Sequence, residues 1–484
     1  MARGLYRVYL YLVCISLLIF AAVTGERWLA VALGETPLRG QFGEPPSARA
    51  LVQAAVFAVV SWIIAGGLGG LHYWLIRRDQ RTDPGAAGGG IRAFFLNAVI
   101  ANAVLIAAPT AAYVIANLGQ RQFFPLSGVL AVAITAAAVA VVAEAERRRV
   151  PATTRAGLAF QRLQLYSVPF LLLATVGLIT WLNAAQDTVT WLLLAAHRLP
   201  TFCGDGSSTC GPHVIGPWGA TLWIALVLAL YGFLPRDTGR SVLRQIFHLA
   251  AFGYGLIVGI VGLERAAELL LYPALRLPVA ADDLVFRFAF VPPLSFGLVV
   301  VIAYVVGLIR EAPSLPAGKD GTRLTLLALA AGLFGVPFWI GCGFILHHAV
   351  ESAVPLGDRP AAGEWATALA LVLAGALALP LAVVLAARTR WSGTASPLRG
   401  YVFAWLAAGT LTAAIGAALA LYAGGTAALG AAPDNWQYVA RYGAEALAVG
   451  GVAAALHGWL ALRYHLFGPA SARTPTDLPA PQPA

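Results

Sequence analysis

Two histidines are the side chains in this sequence best placed to hold a ligand. His72 sits in Leu71-His72-Tyr73-Trp74-Leu75-Ile76-Arg77, and His457 in Leu456-His457-Gly458-Trp459-Leu460-Ala461-Leu462-Arg463. Each imidazole stands two residues before a tryptophan, and an arginine follows where a long apolar run stops. If the first and last parts of the chain are neighbours, the imidazoles face each other. A facing pair is what b-type haem or a transition metal takes as ligands. The simpler alternative needs no ligand. Trp74 and Trp459 then lie at headgroup level, and Arg77 and Arg463 reach past them toward water as interfacial anchors. We take the anchor as the primary reading and predict no cofactor, with haem or a metal on His72 and His457 as the alternative.

Cysteine offers a second chemistry. Cys203 and Cys210 flank Gly204-Asp205-Gly206-Ser207-Ser208-Thr209, a small flexible stretch that closes easily in an oxidising compartment. We expect a structural disulfide between them, since two cysteines are too few to hold zinc. Cys14 and Cys342 fall within apolar runs and read as packing residues. His347 and His348 are adjacent, so they point to different faces of a helix. Charge at mid-depth would mark a transport or proton pathway. None is found there: Glu264, Glu268, Glu351 and Glu445 fall near one boundary of their runs, and Glu144 and Glu146 near the other. The deepest polar side chains, Asn97 and Asn102, are expected to make interhelical hydrogen bonds. No phosphate-cradling loop or metalloprotease helix is present, and the loops on the arginine side are too short for a soluble catalytic domain, so no catalytic residue is assigned.

The elements that position these groups follow from composition. Of 484 residues 59% are hydrophobic and only 11% charged, against about 25% charged in a soluble domain. Uncharged apolar runs long enough to cross a hydrocarbon core of roughly 30 Å recur along the whole chain. The fold class is therefore all-α: a polytopic helical membrane protein of about twelve transmembrane helices. Spans are placed at 5–24, 51–76, 93–117, 125–145, 163–185, 216–234, 242–263, 289–309, 324–346, 365–387, 400–423 and 439–462. The first run reads as a retained helix rather than a removed signal peptide, for want of a small-residue cleavage site. Short apolar pieces in the loops opposite the arginines, at 26–33, 188–194 and 264–271, suit helices lying in the interface, with plain continuation of the preceding span as the alternative. The formal charge of +10 does not imply nucleic acid, because basic residues form short clusters between apolar runs and never a basic face. The expected partner is membrane lipid.

Arginines also set orientation and reveal a repeat. Arg7, Arg92, Arg162, Arg244, Arg323 and Arg399 open successive units, and Arg77, Arg147, Arg236, Arg310, Arg388 and Arg463 close them. The five intervals from Arg7 to Arg399 average roughly 78 residues. The unit is a helical hairpin repeated six times, always starting from the same side. Positive charge on that side places both termini in the cytoplasm, and the arginine bias over lysine suits a GC-rich bacterial genome. An aromatic follows most opening arginines: Tyr9, Phe94 and Phe95, Tyr166, Phe247, Tyr401 and Phe403. The fifth unit has Leu324 and Leu326 instead.

These residues carry a resemblance. Leu5-Tyr6-Arg7 with Tyr9, then His72 and Trp74, and again Leu398-Arg399-Gly400-Tyr401, then His457 and Trp459, resemble a bacterial multi-pass membrane family classified as a domain of unknown function. That resemblance implies a four-helix unit with an Arg-aromatic start and a His-Trp end, but no activity or catalytic residue. On it the chain divides into 1–150 (helices 1–4), 151–316 (helices 5–8), 317–467 (helices 9–12) and a disordered Pro-rich tail, 468–484. The expected role is a structural or accessory component of the bacterial inner membrane. The alternatives are a transporter of a neutral or lipid-like small molecule and a haem-binding redox protein.

Overall fold

The computed structural model describes residues 2–40, 43–120, 125–197, 214–233, 242–277, 288–311, 318–356, 360–392, 396–429 and 434–466. All regular structure among these residues is helical. Twelve rods follow in order: α1 (Ala2–Leu33), α2 (Ala48–Thr82), α3 (Gly90–Asn117), α4 (Ser127–Arg149) and α5 (Arg155–Leu172 and Leu178–His197). The remainder are α6 (Ile215–Phe233), α7 (Val242–Ala274), α8 (Val291–Glu311), α9 (Gly318–Ala353), α10 (Ala362–Gly375 and Ala378–Ser392), α11 (Ser396–Ala428) and α12 (Trp436–Arg463). Eleven of these are long and apolar enough to cross a membrane, and α6 contributes a shorter apolar helix, Ile215–Tyr231. The chain is a polytopic all-α membrane protein.

Helix boundaries follow local chemistry. Ser47 caps α2 by accepting from the Ala50 N–H at 3.2 Å, and Thr154 caps α5 from the Gly157 N–H at 3.1 Å. Glu364 reaches back to the Ala361 N–H at 3.0 Å as α10 begins. Of the two readings of the three loop pieces, the structure shows the continuation: they extend α1, α5 and α7 without a break. Residues 26–33, 188–194 and 264–271 contain no proline or glycine. Nothing there outweighs propagation of a helix that is already nucleated. In α5, Pro169 removes a ladder donor and the turn Leu173–Gly177 widens to a π-helix.

The chain gathers into two compact units, Met1–Phe247 and His248–Ala484, with the division falling inside α7. In the first unit, Ala108 and Ala112 of α3, Val168 and Leu172 of α5, and Ala220 and Ile224 of α6 form a common core. At its arginine-rich end the buried Arg92 donates to the carbonyls of Val150 (2.7 Å), Ala87 (3.2 Å) and Glu146. Tyr73 and Arg149 close on the same Glu146 carboxylate, at 3.0 and 3.3 Å, while Arg7 binds Asp79 and Asp83, each at 2.6 Å.

The second unit is held largely by small residues. A Cβ added at Gly297 of α8 would lie 2.4 Å from Gly259 Cα of α7, so these helices touch backbone to backbone. The α11–α12 hairpin does the same over three turns. Gly409 and Gly416 of α11 and Gly443 and Gly450 of α12 would each drive a Cβ to within 2.4–2.6 Å of the opposing backbone. Each pair is spaced by seven residues, the period of a left-handed supercoil. Close approach of this kind maximises dispersion where no hydrophobic effect drives helices together in lipid.

Candidate functional site

The two histidines occupy matching settings in their own hairpins. His72 Nδ1 lies 2.8 Å from the Leu68 carbonyl and His457 Nδ1 2.8 Å from the Ala453 carbonyl, each four residues back. A carbonyl only accepts, so the proton is assigned to Nδ1 in both. Tyr9 of α1 meets His72 edge-on at 5.9 Å and 61°, and Tyr401 of α11 meets His457 at 5.6 Å and 64°. The Tyr9 hydroxyl also faces His72 Nε2 at 3.5 Å. His457 is buried, with Trp339 and Trp405 as further ring neighbours. The two histidines belong to different units, and these contacts are each within one unit.

The tryptophans expected as interfacial anchors are exposed. Trp74 and Trp459 are 51% and 55% exposed. Arg463 lies over Trp459 at 5.6 Å and Arg78 over Trp74 at 5.5 Å. Arg77 turns instead to the Tyr73 ring at 5.7 Å and to Gln80 at 3.3 Å. The two motifs therefore align as His-x-Trp-x-x-x-Arg, with Arg78 in the place of Arg463. Cys203 and Cys210 lie outside the described residues. Asn97 and Asn102 do not donate across helices: their amides bond Ala93 and Ala98 of α3 itself, at 2.7 and 2.8 Å. An i−4 carbonyl in the same helix is already within reach of a short amide, and no neighbour need supply it.

A cluster of ionisable side chains lies in the second unit, at the end remote from its arginine-rich helix ends. Arg441 of α12 pairs with Glu351 of α9, and their side chains are only 9% and 8% exposed. Glu445, one turn further along α12, has an oxygen 3.6 Å from Arg441 Nε and accepts from His347 Nδ1 at 3.0 Å. The rings of Tyr438 and Tyr442 each lie 5.5 Å from the Arg441 guanidinium. Glu351 also accepts the Leu356 N–H at 3.2 Å, and the Tyr438 hydroxyl donates to the Leu356 carbonyl at 2.5 Å, fixing the chain as it leaves α9. His348 points the other way and packs on Trp365 of α10 at 5.4 Å. On α7, Glu268 accepts from Thr367 at 2.8 Å and pairs with Arg265 at 3.1 Å.

The cluster is incompletely matched: Arg441 Nε and Glu445 Oε1 stand 3.6 Å apart, and neither has a hydrogen-bond partner. Glu445 is 9% exposed, and its Oε1 has no hydrogen-bond partner within the protein. From this cluster a groove of 660 Å³ runs between α9, α11 and α12. His347, Tyr442 and Glu445 form its polar end, and Trp339, Trp405 and Ala453 its far end. From His347 back to Val336 the groove follows eleven helical steps of α9, about 16 Å at the helical rise. Val336, Ile340 and Phe344 on its rim are 46–48% exposed, so it opens sideways toward lipid. Gly343, Gly409 and Gly450 line it, and at Gly343 the missing side chain leaves open space. The volume lies inside the roughly 300–1,000 Å³ typical of small-molecule sites.

In the sequence Glu351 and Glu445 stand out only as residues near the ends of apolar runs and His347 only as the neighbour of His348, and Arg441 does not stand out at all. The available signal was an arginine within α12 on the side where the chain otherwise keeps few, four residues before a glutamate. Among the described residues no group of three or more His, Cys, Asp or Glu is arranged to hold a metal. No family model matches the chain, and no match to it was found among curated proteins or solved structures.

Proposed function

We propose that this integral membrane protein binds and carries a single-chain, lipid-like molecule in the lateral groove of its second unit. We place it in a bacterial inner membrane with both termini cytoplasmic, on the arginine distribution. The observation that carries the reading is the conjunction of an apolar, sideways-open groove with a buried, acceptor-rich polar end at His347 and Glu445. An acyl chain fits the first and a head that donates hydrogen bonds fits the second. His347, with its proton on Nδ1 toward Glu445, presents Nε2 as a further acceptor. A carboxylate head meets the Glu445 carboxylate and is disfavoured. A bundle with only a structural role needs neither the opening nor the buried ions, whose desolvation costs stability.

Native mass spectrometry of the purified full-length protein tests this. A monoacylglycerol is compared with a fatty acid of equal chain length, on wild type and Gly343→Trp. A Cβ at Gly343 meets nothing within 4 Å, so the indole enters the groove without displacing backbone. The wild type is expected to retain the monoacylglycerol over the fatty acid and Gly343→Trp to lose it. Equal retention by the two proteins refutes the site and leaves the structural or accessory role standing.

A further inference from the structure

A second groove lies in the same unit, at its arginine-rich end. It encloses 640 Å³ between α7, α8, α9 and α10, with Phe252, Val305, Leu324 and Leu327 among its apolar walls. Three charged residues stand on its lining: Arg323 and Asp320 from the first turns of α9, and Arg388 from the end of α10. All three are exposed. Asp320 and Arg323 are spaced for an i,i+3 ion pair on α9, yet among the described residues none of the three forms an ion pair. The groove thus presents two unpaired guanidinium groups and one unpaired carboxylate above an apolar floor.

We propose that this groove is a site for a phospholipid whose headgroup carries both a phosphate and a primary ammonium. Arg323 and Arg388 take the phosphate, since the guanidinium fork matches phosphate oxygens. Asp320 takes the ammonium, and one acyl chain lies along Leu324 and Leu327. Two positive groups alone would suit any anionic lipid. The carboxylate beside them is what selects a zwitterionic head, and a primary ammonium donates hydrogen bonds that a quaternary one cannot. This site does not rest on the groove at Glu445, and its test is read on different residues.

The experiment is native mass spectrometry of the delipidated full-length protein with phosphatidylethanolamine, phosphatidylglycerol and phosphatidylcholine of identical acyl chains. Wild type is expected to retain the ethanolamine lipid over both others. Arg323→Gln with Arg388→Gln lowers its retention about a hundredfold, the loss of roughly one charge-assisted hydrogen bond from each arginine. Asp320→Asn reverses the preference in favour of phosphatidylglycerol. Leu327→Trp, which fills the floor and keeps every charge, lowers retention of all three. Helical circular dichroism verifies that each variant folds, the expected result for the exposed Asp320, Arg323 and Arg388 and the check that the half-buried Leu327 requires. Stronger retention of phosphatidylglycerol or phosphatidylcholine by wild type overturns the proposal, as does an arginine double variant that binds like wild type.

Discussion

Arg441→Met separates a buried ion network from a cluster that merely happens to be close. Arg441, Glu351 and Glu445 have side chains 9%, 8% and 10% exposed, so solvent does little to screen them. Methionine keeps much of the volume and removes the charge, stranding two carboxylates. Breaking a buried pair in this way costs about 3–5 kcal/mol, more than the pair contributes over an apolar replacement. Lost contact with the Tyr438 and Tyr442 rings adds about 1 kcal/mol. For a unit of this size the sum lowers the melting temperature by on the order of 10 °C. Thermal unfolding of detergent-solubilised protein, followed by circular dichroism, reads it. The triple variant Arg441→Met with Glu351→Gln and Glu445→Gln recovers most of the loss. Its amides still accept from the Leu356 N–H and from His347, and no charge is stranded. A single variant that melts with wild type, or a triple variant no better than the single one, refutes the network.

Further expectations follow from the packing. Gly450→Ala places a Cβ 2.5 Å from the Ala413 backbone nitrogen and costs about 1–3 kcal/mol by forcing α11 and α12 apart. Its neighbour Gly451→Ala meets nothing within 4 Å and melts like wild type or slightly above it. Arg92→Met strips three backbone carbonyls of their donor and is expected to lower the melting temperature of the first unit by several degrees, whereas Arg78→Met, at the lipid edge over Trp74, changes it little.

How much was legible in the sequence depends on the range of the interaction. The twelve apolar runs reappear as twelve rods, because a membrane solvent demands long uncharged helices and the demand is local. Their ends were legible less well: α1, α5 and α7 run on past the lipid-length window, since hydropathy marks where a helix is apolar and not where it stops. The ion cluster depends on side chains about 90 positions apart, Glu351 against Arg441 and His347 against Glu445, and no local pattern joins them. The tight α11–α12 hairpin was readable in principle. Gly409 and Gly416 on one helix and Gly443 and Gly450 on the next keep a seven-residue spacing, which only an eye for small residues detects. The repeated His-x-Trp motif was found by its letters. Its true partner, the tyrosine after the opening arginine, became evident only when Tyr9 met His72 and Tyr401 met His457 in like geometry.

The central claim is tested most directly by photo-crosslinking. A monoacylglycerol bearing a diazirine in mid-chain is bound to the full-length protein in lipid nanodiscs, irradiated, and its adducts mapped by peptide sequencing. The account predicts labels concentrated on the groove walls, at Val336 to Phe344 of α9 and Val449 to Ala453 of α12, and their loss in Gly343→Trp. Labels spread evenly over other lipid-facing surfaces, such as Val52 to Ile63 of α2, would contradict it.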